Sequence, residues 1–184
     1  FIRGNENGER PLVFENARQP HRIQGGYERA ELVVASEHIY DGLIGQYAQG
    51  NEPNHHIPYL YAFAGQPWKT AKLIREIDDK FYSTKPDGLC GNEDLGQMSA
   101  WYVLSSMGFY SVNPANGIYV FGSPLVNEAK IHHKEGISFT IKAIDNNATN
   151  IYIQKAEYNG KPYAKSYITH DMIEKGGELK IYMG

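Results

Sequence analysis

"GNEDLGQMSAWYVLSSMGFYSVNPANGIYVFGS", Gly91 to Ser123, is where the chain changes its period. Up to Gly108 the spacing is helical. Met98, Trp101, Tyr102 and Ser105 fall on one side, and Ala100, Val103, Leu104 and Met107 on another, so a helix apolar nearly all round, and therefore buried, is expected. Asp94 followed by Gln97 has the spacing of a capping box, and Gly108 stands where a helix stop belongs. From Phe109 the period becomes two, and the same stretch that opens as a helix ends as a strand.

Downstream, "EAKIHH", "ISFTIKAI", "NIYIQKAEYNG", "AKSYIT" and "ELKIYMG" are short β-branched and aromatic runs. They are separated by turn pairs such as Asn146-Asn147, Asn159-Gly160 and Gly176-Gly177, and read as an antiparallel sheet of five or six strands over residues 109–184. Upstream, residues 41–108 read as helical. "PYLYAFAG" stops at Gly65, and "QPWKTAKLIREIDDKFYS" opens on a proline and aligns Trp68, Leu73, Ile74, Ile77 and Phe81 on one face. Helices followed by strands argue an α+β class. Residues 1–40 are turn-rich, with helix-like spacing only in "YERAELVVASEHIY", and form a separate, poorly defined N-terminal segment.

Composition narrows the function. A chain of 184 residues with 41% hydrophobic and 12% aromatic content can build a real core. A net charge of −3 with scattered lysines leaves no basic stripe for nucleic acid, and no apolar run reaches membrane-spanning length. Fourteen tyrosines suit an uncharged polar ligand. The single cysteine, Cys90, excludes an internal disulfide. A start at Phe1 and an end at Gly184, just after an expected strand, read as a piece of a longer chain, so the lack of a targeting signal carries no information.

Chemistry concentrates at two places. "GNEPNHHIPY", Gly50 to Tyr59, sets Asn51 and Glu52 at the mouth of an expected helix, with Pro53 suited to its first position. His55 and His56 are adjacent and diverge by roughly 100° on a helix, so at most one can face a given small ligand. The second place is Asn92, Glu93 and Asp94, three polar residues ahead of a helix expected to be buried, an arrangement that is costly unless the acids are used or paired.

Taken singly, each feature has an ordinary structural explanation. Asp94 reads as an N-cap, Glu52 as a partner of the helix dipole, and the histidines as hydrogen-bonded boundary residues. His132 and His133 lie in a strand where neighbours point to opposite faces, which argues against a zinc site. Asn147-Ala148-Thr149 fits a glycosylation acceptor, but the surrounding asparagines read as a turn. The combination favours function: the tripeptide Gly-Asn-Glu at Gly50 and again at Gly91 opens two expected helices. A third copy at Gly4 has none after it. Two such starts facing one cleft would provide paired carboxylates for glycoside hydrolysis or oxygen ligands for a hard cation.

"GLIGQYAQGNEPNHHIPYLYAFAGQPWKT", "GNEDLGQMSAWYVLSSMGFYSVNPANGIYVFGSP" and the "EAKI" strand closely resemble glycoside hydrolase family 92, the calcium-dependent exo-acting α-mannosidases widespread in bacteria. The resemblance runs from about Asp41 to the C-terminus. It implies an inverting hydrolase of terminal α-mannosides of glycans, periplasmic or secreted, with an N-terminal β-sandwich and a C-terminal (α/α)₆ toroid of which residues 42–108 are part. It assigns Asp94 as the general base, with Asn92 and Glu93 assisting. Asn51 and Glu52 map to a Ca²⁺ site gripping the mannose hydroxyls, and His55 and His56 to the lining of the sugar pocket.

The family's catalytic acid, a glutamate in an "EGN" segment with tryptophan and tyrosine, has no counterpart in residues 1–49. The resemblance therefore implies that the sandwich, the remaining toroid helices and the acid lie outside this chain, or that residues 20–40 replace the acid, and that the chain alone is inactive. The competing reading is a non-catalytic carbohydrate-binding or structural module built on the tyrosine-rich sheet. Such a module would have no need of Asn92, Glu93 and Asp94 at a helix start.

Overall fold

A computed structural model describes residues 42–133 and 136–184. The expectations for residues 1–40 lie outside the described residues. The chain divides into two units, Phe1–His55 with Lys80–Met98, and His56–Asp79 with Ser99–Gly184.

In the first unit, the start of the region read as helical is a small hairpin, β1 (Leu43–Ile44) with β2 (Tyr47–Ala48), turned at Gly45. The two residues of each strand are enough to bury Tyr47 and Ala48. A three-residue 3₁₀ turn, Glu52–Asn54, follows in place of the expected helix. Pro53 sets φ but supplies no N–H, and the chain does not stay helical long enough to close an α-turn. The segment around "KPDGLCGN" is a tight reversal: Tyr82 bridges Leu89, and the Ser83 N–H donates to the Gly88 carbonyl at 2.9 Å.

The second unit opens with another 3₁₀ turn, Ile57–Tyr59, and the short helix α1 (Leu60–Phe63). Gly65, at φ 72, ends α1 as expected. Its N–H donates to the Ala62 carbonyl and that of Gln66 to the Tyr61 carbonyl, the paired bonds of a Schellman stop. Helix α2 (Pro67–Phe81) starts on its proline. Its buried stripe is Thr70, Ala71, Ile74, Ile77 and Asp78, while Trp68 is 54% exposed. Of the expected face, Ile74 and Ile77 are buried and Leu73 and Phe81 half-buried, and only Trp68 misses it: it precedes Ile74 by six residues, roughly 240° around the helix, and falls outside the stripe.

Helix α3 (Gln97–Ser106) ends at Gly108 (φ 97), whose N–H donates to the Ser105 carbonyl at 2.8 Å. It is buried on one side through Met98, Trp101 and Ser105, but Val103 is 55% exposed. Expected to be buried all round, in this chain it is buried on one face.

The strands form two sheets rather than one antiparallel sheet. β3 (Phe109–Tyr110), β4 (Ile118–Phe121) and β9 (Tyr167–Thr169) make an antiparallel sheet in the order β3-β4-β9. β5 (Glu128–His132), β6 (Ser138–Ile144), β7 (Ile153–Tyr158), β8 (Lys161–Tyr163) and β10 (Gly177–Met183) make the other, in the order β5-β6-β10-β7-β8. Its centre is parallel: Leu179 pairs with Ile141 and Ile181 with Ala143. A parallel pair needs a crossover, and the chain reaches β10 through β9 and the helix α4 (His170–Lys175), which packs on β6. Alternation decides the core: Phe139, Ile141 and Ala143 of β6 and Leu179, Ile181 and Met183 of β10 point one way and are buried with Phe109, Phe121, Ile168 and Ile173.

Candidate active site

The first unit carries both Gly-Asn-Glu motifs. β2 delivers the chain into a buried run, Tyr47 to Gly50. Gln49 is fixed at four points, one of them its carbonyl, which His55 holds. Its backbone N–H donates to the Gly42 carbonyl at 2.9 Å, its side-chain oxygen accepts from the Tyr47 hydroxyl, and its amide nitrogen donates to the Tyr82 hydroxyl at 2.6 Å. The Tyr82 hydroxyl in turn donates to the Met98 carbonyl at 3.3 Å. Gly42, at φ 72, is required here, because a Cβ would stand 2.5 Å from the Cys90 sulfur.

Asn51 follows in extended conformation (φ −113, ψ 99), and its side chain makes no capping bond to the 3₁₀ turn. Glu52, half-buried, is the first residue of that turn, whose backbone bonds run from Asn54 to the Asn51 carbonyl and from His55 to the Glu52 carbonyl. Asn51 and Glu52 are therefore held by main chain, with their side-chain oxygens at the edge of a short, stiff loop.

His55 is 1% exposed, and both ring nitrogens are engaged. Nε2 lies 2.9 Å from the Gln49 carbonyl oxygen, and Nδ1 lies 3.0 Å from the side-chain nitrogen of Gln97. Burial holds the imidazole below its usual pKa, against the smaller opposing effects of the Gln49 carbonyl and the Glu52 charge. A carbonyl only accepts, so Nε2 carries the single proton, and Nδ1 takes a hydrogen from the Gln97 amide. His56, half-buried, is the first residue of the second unit.

The second motif is a turn, not a cap. Asp94 sits at φ 49 and Leu95 at φ 56, both left-handed, and α3 starts only at Gln97. An N-cap residue has extended backbone, so the expected Asp94–Gln97 capping box is not formed. The turn is closed instead by backbone bonds from Gln97 N–H to the Asp94 carbonyl (3.1 Å) and from Met98 N–H to the Glu93 carbonyl (3.2 Å). Asn92 and Asp94 are exposed, and Glu93 is half-buried. Two successive left-handed residues with side chains cost about 1–2 kcal/mol each, the kind of local strain that accumulates at functional sites. Gln97, expected to cap, is the residue that joins the second motif to the first.

Among the described residues, no group of three or more His, Cys, Asp or Glu side chains is placed to hold a metal ion. His132 ends β5, and His133 closes its hairpin by donating its N–H to the Ile137 carbonyl. The Asn147 side-chain oxygen accepts from the Thr149 N–H and hydroxyl and from the Asn150 N–H, which is the turn expected there. The second unit has a cavity of about 590 Å³ bordered by Trp68, Phe121, Tyr152, Gln154, Tyr163 and Ser166, and none of the motif residues lines it.

The glycosyl hydrolase family 92 catalytic domain matches residues 14–184. The chain belongs to glycosyl hydrolase family 92. The match reaches further back than Asp41, where the sequence resemblance was expected to begin. A family GH92 α-mannosidase from Bacteroides thetaiotaomicron, solved with mannoimidazole, is 38% identical, with a TM-score of 0.76 over 86% of this chain and 22% of that one. An inverting family GH92 mannosidase of the same organism is 43% identical, with a TM-score of 0.70 over 85% of this chain and 20% of its own. An uncharacterized secreted glycosidase of Arthroderma benhamiae is 30% identical over 85% of this chain and 20% of its own. This family 92 chain thus spans about a fifth of the length of the relatives it matches. No helix among its described residues is long and apolar enough to cross a membrane.

Proposed function

We propose that this chain is the base-bearing and calcium-bearing part of an inverting, calcium-dependent exo-α-mannosidase acting outside the cytoplasm on terminal α-mannosides of glycans. One observation carries the reading furthest: the two Gly-Asn-Glu turns, 41 positions apart in the sequence, share one unit and are joined through His55 and Gln97. The identity of 38–43% to family GH92 mannosidases supports the substrate class.

In this reading Asp94 is the general base. Inversion uses a carboxylate to take a proton from water on the face of the sugar opposite the leaving group, with the acid roughly 6.5–9.5 Å away. An exposed carboxylate on a rigid turn is free to meet that water, and Asn92 and Glu93 beside it would orient the water.

Asn51 and Glu52 offer an amide and a carboxylate oxygen, the hard donors that calcium prefers, and the Asn51 side chain is not spent on capping. Two donors are a minority of the 6–8 that calcium takes, so sugar hydroxyls, water or further residues would complete the shell. When bound, the ion would supply a fixed positive charge that holds two neighbouring hydroxyls of the mannose. Asn51 and Glu52 would set its position, because their own backbone is fixed by the 3₁₀ turn.

The test is Asp94→Asn in the full-length protein. Turnover of an α-mannoside should fall roughly 10²-fold or more, with thermal stability unchanged within error, since asparagine also tolerates a left-handed φ. Near-native turnover by that variant would return Asp94 to a purely structural role.

A further inference from the structure

We infer that His55 is a positioning residue, an imidazole with its hydrogen on Nε2 that fastens the turn bearing Asn51 and Glu52 to the turn bearing Asp94. Its reach explains how. Nε2 holds the Gln49 carbonyl, two residues before Asn51, so the bond closes the loop that carries Asn51 and Glu52. Nδ1 holds Gln97, three residues after Asp94 and first in α3. The neighbouring fixings of Gln49, through Tyr82 to the Met98 carbonyl, run between the same two segments by a second route. One such bond alone would let each turn drift, whereas a planar ring held at both nitrogens constrains distance and direction together.

The tie is directional. Nδ1 is an acceptor only, so the residue at position 97 must offer an N–H there. A glutamate of the same shape presents only acceptor oxygens to that nitrogen. The acid at Asp94 and the donors at Asn51 and Glu52 thus share one reference point that is itself buried. That the two turns serve a common site rests on the mannosidase reading; that they are tied does not.

The experiment is histidine-selective and backbone ¹⁵N NMR on the protein and on its Gln97→Met and Gln97→Glu variants. In the unsubstituted protein His55 should show a protonated Nε2 and a bare Nδ1. In both variants the Nδ1 signal should move, and the amide signals of Gln49, Asn51 and Glu52 should move with it, although they lie over 40 positions away in sequence. In the full-length protein Gln97→Met should lower kcat about tenfold or more with KM changed less than about twofold, the pattern of misplaced rather than missing groups. A hydrogen found on Nδ1, or amide changes confined to the neighbours of Gln97 in sequence, overturns the tie. Because the spectra need no substrate, absence of mannoside hydrolysis would count against the proposed function and leave the tie to be judged by the spectra.

Discussion

Asp78 is the residue whose chemistry the sequence hides most completely. It looks like one more charge in "REIDDKF", yet it is 5% exposed and neither carboxylate oxygen has a hydrogen-bond partner among the described residues. Burial pushes its pKa up to about 8, with the Arg75 charge opposing. The sign of the pH effect follows. Between about pH 4 and pH 8 the unfolded chain has released this proton and the folded chain still holds it, so stability falls as pH rises across that window. Asp78→Asn should therefore be close to neutral at pH 4 and stabilising by at least about 1 kcal/mol at pH 8, read from urea denaturation at the two values. Equal stability changes at both would mean that Asp78 is ionised throughout. Glu52→Gln belongs at the same scale. It keeps shape and removes charge, so on the proposed calcium reading calcium affinity and mannose binding should weaken together, and unchanged calcium binding by calorimetry would remove Glu52 from that proposed site. Among the site residues, Asn51, Glu52 and Asn92 to Asp94 stand out in the sequence because polar runs beside helix punctuation are conspicuous. Gln49 and Gln97 do not, because nothing in a glutamine's neighbours announces that its amide will be spent on a residue 33 or 42 positions away.

At the scale of elements, punctuation was the readable part. Pro67, Gly65 and Gly108 start and stop helices where expected, and alternation located β4, β5, β6, β7, β9 and β10. Asn159 and Gly160, at φ 50 and 74, form the two-residue turn that joins β7 to β8. Three-residue β8, with its proline, and six-residue α4 are too short to show a period. The capping of α4 by the Thr169 hydroxyl is visible only once the helix is known. The helical reading of residues 41–108 misses the hairpin at its start, because two strands of two residues are too short to show a period of their own. Arg75 shows what joins elements here. Its guanidinium donates from α2 to the Ser123 hydroxyl at 2.8 Å and also to the Pro124 carbonyl and the Asn146 side-chain oxygen. Three acceptors in different directions suit a fork and not a point charge. Arg75→Lys should therefore cost about 1–3 kcal/mol, measured by chemical denaturation, despite the retained charge. A loss as small as that of an exposed lysine substitution would show that the fork contributes nothing.

At the scale of the whole molecule, the α+β class was readable from the change of period at Gly108, while the division into two sheets and the parallel centre of the larger one were not. Pairing of β10 with β6 joins residues nearly forty positions apart, and no local pattern encodes which strand a given strand will find. In the proposed inverting mechanism, function at this scale depends on groups beyond the pair of turns. Inverting hydrolysis needs a proton donor on the leaving-group side, and the glutamate segment that the family resemblance calls for is not found among residues 1–49. The 184 residues by themselves are expected to release no measurable mannose from α-mannobiose, whereas the full-length protein should. Hydrolysis by a purified, monodisperse preparation of these residues would show that the acid lies within them.

The place of β10 also bears on how the protein is made. A ribosome delivers β5, β6, β7 and β8 before β10, yet β10 is the strand that lies between β6 and β7 and bonds to both. During synthesis the β5–β6 and β7–β8 hairpins must therefore wait with their inner edges open, each edge a template for the wrong strand. Translation thus leaves a gap in the middle of the sheet and fills it last, so the interval between the emergence of Tyr158 and that of Met183 is when the nascent chain most needs shelter from its neighbours.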